Sequence, residues 1–131
     1  MFDVKVRDNL FIAHSLKDEF FGMAKNLHGA TYVIDIIISS TKLTDKNIVI
    51  DIGLASSILK KCIEKYNYTN LDDLEVFQNE ITTTEFMAKT LTYDFINHLK
   101  NERIDLSTLS SIQVILNESH IASASYKKML D

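Results

Sequence analysis

The sequence predicts an α+β fold: an antiparallel four-stranded sheet with two helices on one face, in the order strand, strand, helix, helix, strand, strand (ββααββ). Three observations predict it. Residues 2–7 alternate polar and apolar, and residues 31–39 form a β-branched, apolar run (Tyr32, Val33, Ile34, Ile36, Ile37, Ile38). The apolar spacing then lengthens to three and four between Ile52 and about Lys100, and returns to two at Ser111–Leu116. The helical segments are grouped rather than interleaved with the strands, which disfavours a parallel βαβ arrangement.

Each element follows from its residues. Phe2-Asp3-Val4-Lys5-Val6-Arg7 is a half-buried strand, continuing through Leu10–Ala13 after a kink or bulge at Asp8-Asn9. The alternation stops from Ser15 to Leu27, which reads as a loop carrying Phe20-Phe21-Gly22. Thr31–Ser39 is the second strand, Thr44–Asn47 a turn, and Ile48-Val49-Ile50 a short extension of the sheet. Ile52, Ala55, Leu59, Cys62 and Tyr66 mark one helix face, and Asp51 stands where a carboxylate caps the first turn. Asn67–Asn70 ends that helix. After the polar connection Leu71–Glu75, a second helix starts near Thr83 or Thr84 and runs to about Lys100, with Ala88, Leu91, Phe95 and Leu99 inward. Thr82 or Thr83 with Glu85 supplies its start signal. Ser111–Leu116 and residues 121–126 complete the sheet.

No linker or composition shift divides the 131 residues, so residues 1–131 form a single domain. A hydrophobic content of 46% supports one core of that size. The net charge of −4 with scattered basic residues gives no footprint for nucleic acid, and the apolar runs are too short to cross a bilayer. The lone Cys62 excludes an internal disulfide, and Met1–Arg7 lacks the apolar block of a secretory signal. The expected location is the cytoplasm. Two helices leave both sheet edges and one sheet face open, which favours a homo-oligomer.

The histidines near strand ends, His14 and His28, look like a half-built metal site, with Ala30 where a third ligand would stand. His120 shares a strand face with Glu118 two residues earlier and is one candidate to complete it; Asp73 is another. His120 as a turn residue or a partner of Glu118 is the plainer alternative. Cys62 falls on an inner helix face and reads as core. Tyr32 and Phe20-Phe21 read as packing or interface groups, and His98 as surface.

The ordered set Ile12-Ala13-His14, Leu27-His28-Gly29, Asp51 before a helix, Asn70-Leu71-Asp72, Thr83-Thr84-Glu85 and Asn117-Glu118 resembles the 6-pyruvoyl-tetrahydropterin synthase family, which includes the 6-carboxytetrahydropterin synthases. The resemblance runs over nearly the whole chain. It implies the T-fold, assembly into trimers or hexamers whose sheets close a barrel, and a carbon–oxygen lyase acting on a dihydroneopterin triphosphate-like substrate. It further implies a zinc ion on three histidines, of which His14 and His28 are present and the third falls on Ala30. The family cysteine falls on Ala24, and the catalytic histidine after Asp72 falls on Asp73. Asp72 and Asp73 are therefore the acid–base candidates, and Thr83, Thr84, Glu85 and Glu118 the pterin-holding set, since a carboxylate accepts paired N–H bonds from the ring edge. Glu85 as a helix-start carboxylate remains an alternative. The same residues also suit a non-catalytic oligomer that binds a pterin or purine-like ligand.

Overall fold

A computed structural model describes residues 1–130. It is α+β, with strands β1 (Phe2–His14), β2 (His28–Ser40), β3 (Thr69–Asn70), β4 (Ser111–Ser119) and β5 (Ala122–Met129), and helices α1 (Ile52–Glu64) and α2 (Thr84–Asn101). The strand order is β3-β1-β2-β4-β5, antiparallel except where β3 joins β1. The register pairs even-numbered residues with even-numbered ones throughout β1, β2 and most of β4–β5, as in Leu10 with Tyr32, Ile36 with Val114 and Val114 with Tyr126. One sheet face is thus built from Val6, Leu10, Ile12, Ile34, Ile36, Ile38, Ile112, Val114 and Leu116, all buried. Both helices cover that face: Ala55, Ile58, Leu59 and Cys62 from α1, and Met87, Ala88, Leu91 and Phe95 from α2. Each such aliphatic side chain contributes roughly 1.5–3 kcal/mol by leaving water.

The sheet has five strands, not four. The added strand is two residues long and exists because of a tertiary turn. Tyr68 takes a left-handed φ of 58° and donates its N–H to the Phe11 carbonyl at 2.7 Å, while the Phe11 N–H donates to Asn67 Oδ1 at 3.0 Å. That docks Thr69 and Asn70 parallel to Ile12 and Ala13. Three further expectations are corrected. β1 runs without a bulge at Asp8-Asn9, because its register with β2 is unbroken. Val49 and Ile50 are buried as loop residues and add nothing to the sheet. The segment before β2 holds a 3-10 stretch, Glu19–Lys25, capped by Asp18 and kinked at Gly22, whose φ of 57° suits a residue without Cβ.

On the helix-free face Arg7 and Asp35 are directly opposite and form a bidentate pair, Nε to Oδ1 at 2.6 Å and Nη2 to Oδ2 at 3.0 Å. Asn117 Nδ2 donates to Asp35 Oδ2 at 3.1 Å and to the Val33 carbonyl at 2.9 Å. The Asp35 side chain keeps 6% of its surface and that of Arg7 59%, so the carboxylate is the desolvated partner. The Arg7 hydrogen bond holds the Asp35 carboxyl below its ordinary 3.8, against burial and with help from Asn117. A folded-state pKa below the unfolded one gives stability that is complete above the unfolded value and is lost as pH falls through the folded value. Arg7→Met leaves this carboxylate buried without its cation, so acid unfolding followed by far-UV circular dichroism is expected to move to higher pH. Coincident curves for the two proteins would refute the role given to the pair.

Candidate functional site

β1 and β2 end on one rung, where His14 stands opposite His28. The rings meet edge to face with centroids 4.6 Å apart. His14 is buried, and its Nδ1 lies 3.0 Å from Thr82 Oγ1. Burial, then the neighbouring His28, push its pKa below the ordinary value, while Thr82 and Asp72 act in the opposite sense. His28 Nδ1 lies 2.8 Å from the Asn26 carbonyl. A carbonyl only accepts, so Nδ1 carries the proton and Nε2 is the free basic atom of the neutral ring.

Both imidazoles line a cavity of about 190 Å³ whose opposite wall comes from Thr83, Thr84, Glu85 and Glu118, with Leu16, Phe21, Ala24 and Tyr32 between. Thr83 caps α2, accepting from the Phe86 N–H at 3.1 Å. The cap is therefore the threonine, and Glu85, exposed in the first turn, is left to face the cavity. Glu118 stands at a register shift between Asn117 and Ser119, a β-bulge that re-aims its side chain at the rim. A second recess of about 400 Å³, lined by Thr84, Glu85, Glu118 and the start of β5, adjoins the first through those three residues.

The sequence candidates do not all converge. His14, His28, Thr83, Thr84, Glu85 and Glu118 meet in this cavity. Asp72 does not line it; its carboxylate accepts from Ser15 N–H at 3.3 Å and Ser15 Oγ at 2.5 Å, clamping the chain just after His14. Asp73 is exposed beside it on the 3-10 turn Leu71–Asp73. His120 is exposed in the β4–β5 turn and shares with Glu118 another recess, which includes Arg7, Thr31 and Asn117. It does not line the cavity of the imidazole pair. Cys62 is buried among core side chains, and burial pushes its thiol up to about 12, which leaves no thiolate for chemistry.

Two residues take a place other than the one expected of them. Thr82, a candidate start signal for α2, instead supports His14. Tyr32 is 1% exposed yet borders the cavity; burial raises its phenol above 10, Thr84 opposes, and Glu118 and Glu85 add to the rise. Its signal was available: it lies on the same strand face as His28 and Ala30.

A zinc ion is the group the resemblance implies, and the residues present do not make its ligand set. Each imidazole has an oxygen behind Nδ1, as metal-bound histidines do, but Ala30 offers a methyl at the third position. Among the described residues no three His, Cys, Asp or Glu side chains form a group able to hold a metal ion.

Comparison with known proteins places this geometry. The family model described as 6-pyruvoyl tetrahydropterin synthase matches residues 3–129. The 6-carboxy-5,6,7,8-tetrahydropterin synthase of Bacillus subtilis is 28% identical, over 96% of this chain and 85% of that one. The Caenorhabditis elegans 6-pyruvoyl tetrahydropterin synthase structure superposes with a TM-score of 0.80 at 21% identity, over 97% of this chain and 95% of that one. A dihydroneopterin aldolase from Burkholderia thailendensis, determined bound to guanine, shares the fold at a TM-score of 0.53 and 9% identity, over 98% of this chain and 91% of that one.

Ala30 lies two residues from His28 on the same strand face, so Ala30→His adds a third imidazole to the pair. Zinc affinity, measured by competition with a chromophoric chelator, is expected to rise by at least a hundredfold, of the order that a lost ligand or its support changes it. Equal affinity in the two proteins would show that position 30 is not the missing ligand.

Proposed function

The chain belongs to the 6-pyruvoyl tetrahydropterin synthase family, and from that premise we propose that it is a tetrahydropterin synthase-like protein that takes a pterin in the cavity between the imidazole pair and the two glutamates. The reaction class that suits this pocket is carbon–oxygen bond elimination on a dihydroneopterin triphosphate-like substrate, run with altered chemistry. The observation that carries the reading is the joint placement of Glu85 and Glu118 with His14 and His28 on one cavity.

The residues divide the work. Glu118 accepts paired hydrogen bonds from the ring's N–H edge, and Glu85, with Thr84 beside it, supports the same end. Removal of a proton next to the ring needs a base, and His28 Nε2 is free to be one because the Asn26 carbonyl fixes its tautomer. Asp72 acts through position, holding Ser15 and hence the end of β1 that carries His14. Asp73, exposed on the same turn, is an acid beside it open to solvent. No step runs through zinc. Ala24 leaves the cavity without a thiol nucleophile.

That last fact favours a second reading, a non-catalytic oligomer that holds a pterin or purine-like ring. The aldolase neighbour, whose structure was determined with guanine, supports ring binding on this fold without deciding between the two. In either case we expect assembly through the open strand edges, because β3 covers β1 only at Ile12 and Ala13 and β5 ends the other side of the sheet. A cytoplasmic location belongs to the same proposal. No helix among the described residues is long and apolar enough to cross a membrane.

Isothermal calorimetry with biopterin tests both readings at their common root. Wild type is expected to bind, and Glu118→Gln to bind about tenfold to hundredfold more weakly, the worth of a charge-assisted pair. Indifference to Glu118→Gln would remove the ring-recognition role. Turnover of dihydroneopterin triphosphate separates the enzyme from the binder, and its absence in a protein that binds biopterin selects the second reading.

A further inference from the structure

We propose that Tyr32 is the specificity-determining donor of the cavity: its hydroxyl donates to the oxo oxygen of the bound ring while Glu85 and Glu118 accept from the N–H groups beside it. This deepens the reading above and rests on it. The argument starts from what carboxylates can do. Ionised Glu85 and Glu118 only accept hydrogen bonds. The recognition edge of a 2-amino-4-oxo ring carries two N–H donors and, next to them, a carbonyl acceptor. Two carboxylates satisfy the donors and repel the carbonyl, so a pocket built from them alone leaves that oxygen without a partner.

Tyr32 supplies the missing polarity. It stands on β2 on the same face as His28, with 1% of its surface exposed, and still borders the 190 Å³ cavity together with both glutamates. A phenol buried there keeps its proton and therefore keeps a donor. Its ring is fixed by the β2 register, opposite Leu10 in the core, so the hydroxyl is held in place before any ligand arrives. A buried side chain that served packing alone would not need to end at the cavity beside Thr84. Two acceptors and one donor on one cavity suit the two N–H groups and the carbonyl of a pterin or guanine-type ring and disfavour its analogue lacking the oxo oxygen.

The test is a two-by-two cycle of ligand and protein, with pterin and 2-aminopteridine (which lacks the 4-oxo oxygen and, with it, the N3 proton) titrated into wild type and Tyr32→Phe, so that the cycle isolates what the Tyr32 hydroxyl adds. Wild type is expected to prefer pterin by at least tenfold. Tyr32→Phe is expected to weaken pterin about tenfold and to leave 2-aminopteridine unchanged. Equal loss for both ligands, or no loss for either, overturns the role of Tyr32 while the pterin-binding reading stands. Failure of wild type to bind either ligand overturns both. Should Tyr32→Phe not fold, wild type labelled with ¹³C-tyrosine gives the same decision. The Tyr32 Cζ resonance is then expected to shift with pterin and not with 2-aminopteridine, and an equal response to the two overturns the proposal.

Discussion

The register between β1 and β2 is the constraint on which the rest depends. It runs unbroken from Phe2 with Ser40 to His14 with His28. Because side chains alternate, a slip of β1 by one residue would send Val6, Leu10 and Ile12 to the open face and bring Arg7 into the core. The same slip would separate the two imidazoles. Core and site are therefore specified by one set of pairings: the aliphatic rungs hold the sheet in register, and the last rung inherits its geometry from them. The Arg7–Asp35 pair acts in the same direction on the opposite face, since its bidentate geometry is satisfied in only one register.

The cavity joins two groups of residues with different histories of support. The glutamate wall is built from a helix start and a strand irregularity, with Thr83 capping α2 and Glu118 at the register shift of β4. The basic wall is built from strand ends, with Thr82, Asn26 and the Asp72–Ser15 clamp ordering what surrounds the histidines. The two walls meet at adjacent residues, Thr82 beside His14 and Thr83 at the start of α2. They face each other because α2 packs across the β4–β5 part of the sheet, with Met87, Leu91 and Phe95 in the shared core.

Much of this was legible in the sequence. Period-two and period-three-to-four patterns located β1, β2, β4, both helices and the even-numbered core, because burial on one face forces those spacings. β3 was not legible, since two residues carry no period and its pairing comes from the left-handed Tyr68 and the side chain of Asn67. Val49 and Ile50 misled because a short apolar run is equally compatible with a strand and a buried loop. In the site, His14, His28, Thr83–Glu85 and Glu118 were named through the family resemblance, and the fold brings them to one cavity. Thr82 escaped because its role depends on which threonine caps α2. His120 shares a recess with Glu118, as counting by two expects, but stands in the turn beyond β4 and off the cavity of the imidazole pair.

Ala30 has a consequence for how this fold changes. It is half-buried at the edge of the core, opposite Ile12, and makes no hydrogen bond through its side chain. Substitutions at such a site alter what the pocket can bind or catalyse while leaving the folding free energy close to where it was, well inside the margin that keeps most domains folded. Stability and chemistry are then nearly independent traits of the chain. A lineage carrying this fold can exchange one ligand set for another by single residues, without first acquiring a compensating core.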